Sequence, residues 1–208
     1  MKKFLVLAAV AAFALVSCEQ KHDIDQGGPT PEAFTGVVLN ELSGAAKYIE
    51  LYNTTDKEIV VYGAYLVKYD ASKDGGKSTT WKAAEGMKIP ANGYLVLESS
   101  DLSDPAEKDS DPNYPYESQN HIFKGGLSGK KNVKIELYDG KNNLLDTFKR
   151  GEEGAGWNQV EGFVNNKQNT FSRVPDGTGA WAYAAPTKGA ANGESTGEIE
   201  QEPKAVEK

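Results

Sequence analysis

The sequence predicts an all-β fold, an antiparallel β-sandwich. Three observations carry that reading. The composition holds 22 glycines and ten tyrosines, with 10% aromatic residues overall. Runs of Val, Ile, Tyr and Phe are cut at short intervals by Gly, Asn, Asp and Ser, the residues of turns. Beyond the first eighteen residues, no stretch keeps a helical apolar period over ten or more positions. Seven or more short strands with loops between them make a sandwich of two packed sheets.

The elements follow in order from alternation and turn punctuation. Val37-Val38-Leu39-Asn40-Glu41-Leu42 is the first strand, and Ser43-Gly44 ends it. Lys47 to Tyr52 alternates, with Ile49 and Leu51 on one face, so Glu50 points away from the face they bury. Asn53-Thr54-Thr55-Asp56 is a turn. Glu58–Tyr62 and Tyr65–Tyr69 are strands broken at Gly63, and Asp70–Gly76 is a loop. Thr79-Thr80-Trp81 and Met87-Lys88-Ile89 are short strands, and Pro90-Ala91-Asn92-Gly93 turns into a buried strand, Tyr94–Leu97. Val133, Ile135 and Leu137 alternate with Lys134, Glu136 and Tyr138; Asp139-Gly140 then leads into Leu144–Phe148.

The ends read differently. Lys2 and Lys3 precede an unbroken apolar run, Phe4–Val16, which fits a secretory h-region and is short for a membrane span. Leu15-Val16-Ser17-Cys18 resembles the lipobox of bacterial lipoproteins, and Cys18 is the one cysteine of the chain. The resemblance implies a signal peptide over 1–17 and lipidation of Cys18, which makes a membrane a partner through its lipid. Several acyl chains anchor stably without a basic patch. Loss of Lys2 and Lys3 lowers the formal net charge from −7 to −9. Glu19 stands where inner-membrane retention commonly uses Asp, so the expected location is the outer membrane. Lys21 with Asp23 and Asp25 favours the surface over the periplasmic face. Residues 18–33 read as a tether, 34–192 as the folded domain, and 193–208, rich in glutamate, as a disordered acidic tail.

Within the folded part, several fragments stand in the order and spacing of a lamin-tail domain, an immunoglobulin-like module. Val38–Leu42 resembles its first strand, and Tyr48-Ile49-Glu50-Leu51-Tyr52-Asn53 its second strand and turn. Val60–Leu66 stands where that family usually carries a tryptophan, with Tyr65 in its place. Ile89–Leu97, Phe171–Gly177, Trp181 and Ala185–Asn192 complete the likeness, the last three forming its strongest part; Lys188 replaces a usual proline. The likeness spans about Thr35 to Asn192, with Glu98–Asn120 read as an insertion. It implies an immunoglobulin-like sandwich used for targeting or scaffolding.

Composition narrows the chemistry. One cysteine excludes a disulfide framework or a multi-cysteine zinc site, and two histidines leave little for a histidine cluster. A net charge of −7 and a pI of about 5.0 argue against a general nucleic-acid binder, leaving at most a local patch at Lys124, Lys130, Lys131 and Lys134. Glu41 and Glu50 on neighbouring strands suggest acid–base work, with structural bonding to backbone amides, Arg173 or a lysine as the favoured role. Asp101, Asp104, Asp109 and Asp111 make an oxygen-rich loop suited to calcium, but without EF-hand spacing and with Lys108 among them. Trp81, Tyr114, Tyr116 and Trp157 are candidates for stacking on sugars, against packing at the sandwich ends. Gly151–Trp157 lacks a phosphate loop's context, and no G-x-S-x-G elbow occurs. The expectation is therefore a lipid-anchored, non-enzymatic envelope module that binds an extracellular protein or glycan, with no nucleic acid and no cofactor beyond candidate calcium. The alternative is a metal-dependent or carboxylate-based hydrolase using Glu41 and Glu50 or the Asp101–Asp111 loop.

Overall fold

The computed structural model describes residues 29–70, 76–102, 121–152, 156–157, 159, 162–163 and 168–203. Among these the regular structure is β throughout. The strands are β1 Val37–Ser43, β2 Tyr48–Asn53, β3 Ile59–Val60, β4 Tyr65–Tyr69, β5 Lys77–Lys82, β6 Lys88–Ile89 and β7 Tyr94–Ser99. After them come β8 Ile122–Phe123, β9 Val133–Tyr138, β10 Leu144–Arg150, β11 Thr170–Val174, β12 Ala180–Ala184 and β13 Ser195–Glu198.

They build a seven-stranded sheet in the order β13-β12-β11-β1-β2-β7-β8 and a four-stranded sheet in the order β10-β9-β4-β5. A two-stranded ribbon, β3-β6, completes them. One hydrophobic cluster unites the two larger sheets. Leu39, Leu42, Ile49, Leu51, Leu95, Leu97 and Phe171 come from the first, and Leu66, Trp81, Val133, Ile135, Leu137 and Phe148 from the second. The alternation of β9 is realised as expected: Val133, Ile135 and Leu137 are buried in the core.

Strand β1 breaks its own alternation. Leu39 and Leu42 both enter the core although three positions apart. A β-bulge reconciles them: Leu39 pairs with Leu51 and Glu41 with Glu50, leaving Asn40 as the extra residue. The bulge also redirects the backbone of Leu39. Its N–H donates to Asp146 Oδ2 at 2.9 Å, and its carbonyl accepts from Arg173 Nε at 2.9 Å. Arg173 Nη2 closes the clamp on both Asp146 oxygens at 2.8 and 2.9 Å. Asp146 lies on β10 and Arg173 on β11, so this bidentate pair ties the two sheets together.

Several expectations are corrected. The Glu58–Tyr62 strand shrinks to two residues, because this segment pairs only with β6. The sandwich is not wholly antiparallel: β8 adds to β7 in parallel, with Glu98 opposite Ile122. The tail beyond 192 is not simply solvated. Ser195–Glu198 pairs antiparallel with β12, and Ile199 is buried in the core beside it. The folded part also begins before Phe34. Pro31 seats against Gly63 and Gly140, where an added Cβ would stand 2.5 and 2.6 Å from the proline ring. The segment 1–17 expected to be a signal peptide, Cys18 and residues 204–208 lie outside the described residues.

Candidate functional site

The sheet face opposite the core carries a buried polar layer. Asn40, Glu41 and Glu50 are each fully buried there. Alternation puts Glu50 away from the core, but solvent does not reach it there. The chain after β12 returns across this face and covers it. Glu50 Oε2 accepts from Gly189 N at 2.6 Å, and its Oε1 from Asn40 Nδ2 at 2.9 Å. Glu41 Oε1 accepts from Thr170 Oγ1 at 2.7 Å and Thr187 N at 3.1 Å, and its Oε2 from Thr187 Oγ1 at 2.9 Å. Neither carboxylate pairs with Arg173, whose acidic partner is Asp146.

Asn40, the bulge residue, is the hub of the layer. Its Nδ2 also donates to Asp176 Oδ1 at 3.0 Å, and its Oδ1 accepts from Gly177 N at 2.9 Å. Asp176 Oδ2 takes the Tyr94 hydroxyl at 2.6 Å, and Asp176 Oδ1 takes Asn192 N at 3.1 Å. Thus one amide side chain joins β1 to Glu50 of β2 and to the 175–179 turn, and Asp176 carries the connection on to Asn192 of the strap. The turn itself needs glycine: a Cβ on Gly179 would stand 2.0 Å from the Val174 carbonyl carbon. Asn53 holds the turn after β2, accepting from Thr55 N and donating to the carbonyls of Lys57, Ile89 and Pro90.

Burial, reinforced by the Glu41 and Asp176 carboxylates, pushes the Glu50 carboxyl up to about 7 against the hydrogen bonds from Asn40 and Gly189. Burial and the nearby Glu41 likewise push the Tyr48 phenol up. A carboxyl near 7 is what a general acid uses, but a general acid must also reach a substrate proton. Glu41 and Glu50 instead lie sealed beneath the strap, with their oxygens spent on it, on Thr170 and on Asn40. As folded, the pair is a lock for the strap.

The other candidates separate. Trp81 and Trp157 are buried, at 4% and 6% exposure, so neither is a surface platform. Trp81 belongs to the core, and Trp157 packs edge-on to Tyr69 at 6.4 Å. Both are large apolar side chains that the sandwich claims for packing. Tyr114, Tyr116, Asp104, Asp109 and Asp111 lie outside the described residues. Asp101 is described, and its main-chain carbonyl accepts from Lys47 Nζ at 2.7 Å. Among the described residues no group of three or more His, Cys, Asp or Glu is placed to hold a metal ion. Of the lysines of the 124–134 segment, Lys134 turns to Glu136, at 3.0 Å.

An aromatic and basic surface that sequence reasoning misses lies on the outer face of the four-stranded sheet. Tyr65 and Tyr138 are cross-strand partners with stacked rings 4.9 Å apart. Tyr69 has Lys134 Nζ 4.4 Å and Lys77 Nζ 5.0 Å from its ring centre. Glu136 anchors the group, accepting from the hydroxyls of Tyr138 at 2.6 Å and Tyr69 at 2.9 Å. Burial works against its charge, yet the hydrogen bonds from Tyr138, Lys134 and Tyr69 hold Glu136 below the usual carboxylate range. The bond to Glu136 pushes the Tyr138 phenol up to about 12. The signal is present in the sequence: tyrosines and lysines occupy the polar phase of β4, β5, β9 and β10. Reading it needs the order in which those strands pair.

The lamin tail domain family model matches residues 30–152. The match starts inside the 18–33 segment expected to be a tether and ends at the close of β10. Strands β11 to β13 fall beyond it, including the Phe171–Asn192 region that carries the strongest part of the sequence likeness. No curated protein matches the chain significantly. The match spans more than half of the 208 residues and falls on the strands of an all-β sandwich: the chain belongs to the lamin tail domain family.

Proposed function

We propose that this protein is a non-enzymatic binding or scaffolding module of the bacterial cell envelope, held at the outer membrane by lipid on Cys18 and presenting its sandwich to an extracellular partner. One observation carries the non-enzymatic part. The two carboxylates best suited to catalysis, Glu41 and Glu50, are fully buried and committed to the 187–192 strap. Membership of the lamin tail domain family supports a scaffold role. The anchoring part is supported by Lys2-Lys3, the apolar run Phe4–Val16 and the Ser17-Cys18 register.

The test expresses the full chain in a Gram-negative host beside Cys18→Ala and follows incorporation of labelled palmitate. The expected result is label and outer-membrane recovery for the natural chain, and neither for C18A. An unlabelled natural chain released as soluble protein overturns the anchoring. Turnover of a hydrolase substrate that Glu50→Gln abolishes overturns the non-enzymatic reading.

A further inference from the structure

We infer that the outer face of the four-stranded sheet is a docking surface for an acidic polysaccharide. Two parallel rows of side chains cross this face. In the first, Lys149 of β10 stands directly opposite Lys134 of β9, and Tyr69 of β4 directly opposite Lys77 of β5. Lys134 and Lys77 both reach the Tyr69 ring, which makes the row continuous. At about 4.8 Å between strands the row is about 14 Å long. In the second row, Leu144 opposes Tyr138, Tyr138 opposes Tyr65, and Tyr65 opposes Lys82.

The arrangement costs stability on its own. Like charges directly opposite on neighbouring strands repel, and Lys149 with Lys134 is such a pair. The acid at the centre of the face is Glu136, buried and already shared with Lys134 and two tyrosine hydroxyls. Lys77, Lys82 and Lys149 are exposed at both ends of the two rows. A protein with net charge −7 thus gathers four lysines from three strands on one sheet face. Beside them stand tyrosine ring edges and Leu144, 54% exposed.

A ligand that fits is flat, extended and anionic at intervals. An acidic polysaccharide has this form: its carboxylates or sulfates meet the lysines along the row. Preference for a glycan over a nucleic acid rests on the envelope location proposed above.

Affinity electrophoresis of the full chain tests the inference, with polygalacturonate, chondroitin sulfate, neutral dextran and a single-stranded DNA oligonucleotide as probes. The expected result is retardation by the two acidic polymers, none by dextran, and progressive loss as salt is raised. The double variant Lys77→Gln/Lys149→Gln changes two exposed side chains and binds about tenfold more weakly. Lys57→Gln/Lys88→Gln, in the turn after β2 and on β6, binds as the natural chain does. Equal binding by K77Q/K149Q, or no retardation by either acidic polymer, overturns the inference. Tighter binding to the oligonucleotide than to both polysaccharides overturns the choice of ligand. The assay needs no lipid, so it reads this surface independently of Cys18 acylation.

Discussion

Glu50 carries the charge that the fold accommodates least well. Its ordinary value is 4.5, and burial raises it to about 7. Between these values the folded chain holds a proton that the unfolded chain has released. Stability from this group is therefore complete below about pH 4.5 and is lost as pH rises through about 7. At 1.36 kcal/mol per unit the swing reaches about 3 kcal/mol. Glu136 and Asp139 act in the opposite sense and in a lower window, since both are held below their ordinary values. Urea titrations at pH 4.5 and pH 8 should show the natural chain losing stability toward pH 8, and Glu50→Gln should flatten that slope. An unchanged slope in E50Q would assign the pH dependence elsewhere. Asp146→Ala should cost about 3 kcal/mol, because it strands the Arg173 guanidinium and the Leu39 N–H together. A loss below about 1 kcal/mol in chemical denaturation would show that the clamp is not what ties the sheets.

At the scale of elements, β13 is held by the residues just after it as much as by its own pairing. All four of its residues are exposed, but Ile199 enters the core and Glu200 meets Tyr183 Oη at 2.7 Å. Glu200 also lies 3.8 Å from the guanidinium of fully buried Arg150. Burying isoleucine is worth about 2 kcal/mol, and stripping a buried cation of its nearest carboxylate adds to that. Truncation after Gly193 should lower the melting temperature by several degrees while leaving the far-ultraviolet β signature intact. A truncated chain as stable as the full one would return the segment to the status of a tail. This element is hard to read in sequence because Ser195-Thr196-Gly197-Glu198 has weak strand propensity; the edge of β12 makes it a strand. The two-residue strand β8 escapes sequence reading for a similar reason: its pairing with β7 spans a long connection. By contrast, β2 and β9 are legible from their alternation, and β7 from its unbroken apolar run Tyr94–Leu97.

At the scale of the whole molecule, the sandwich can be read from composition and period, but its covered face cannot. Alternation places Glu50 correctly on the far side of β2. It does not show that Thr187 and Gly189, more than a hundred residues away, close over that side. The bulge at Asn40 is hidden too, since a single extra residue shifts the phase of β1 without any glycine or proline to mark it. The same pairing order aligns Lys149, Lys134, Tyr69 and Lys77. The prediction at this scale is collective: polyanion binding should follow the number of lysines kept in that row and be indifferent to lysines elsewhere.

The seat of Pro31 between Gly63 and Gly140 fixes where the chain enters the domain. The chain enters the domain beside the β9–β10 turn, at the Tyr138 and Tyr65 end of the four-stranded sheet. From Cys18 to Pro29 is eleven residues, at most about 40 Å of extended chain. Lipid on Cys18, as proposed, would hold that entry point within about 40 Å of the bilayer. Lys149, Lys134 and Lys77 stand at the other end of the strands, pointing outward. A long polymer bound along that row meets the end of the sheet away from the chain's entry.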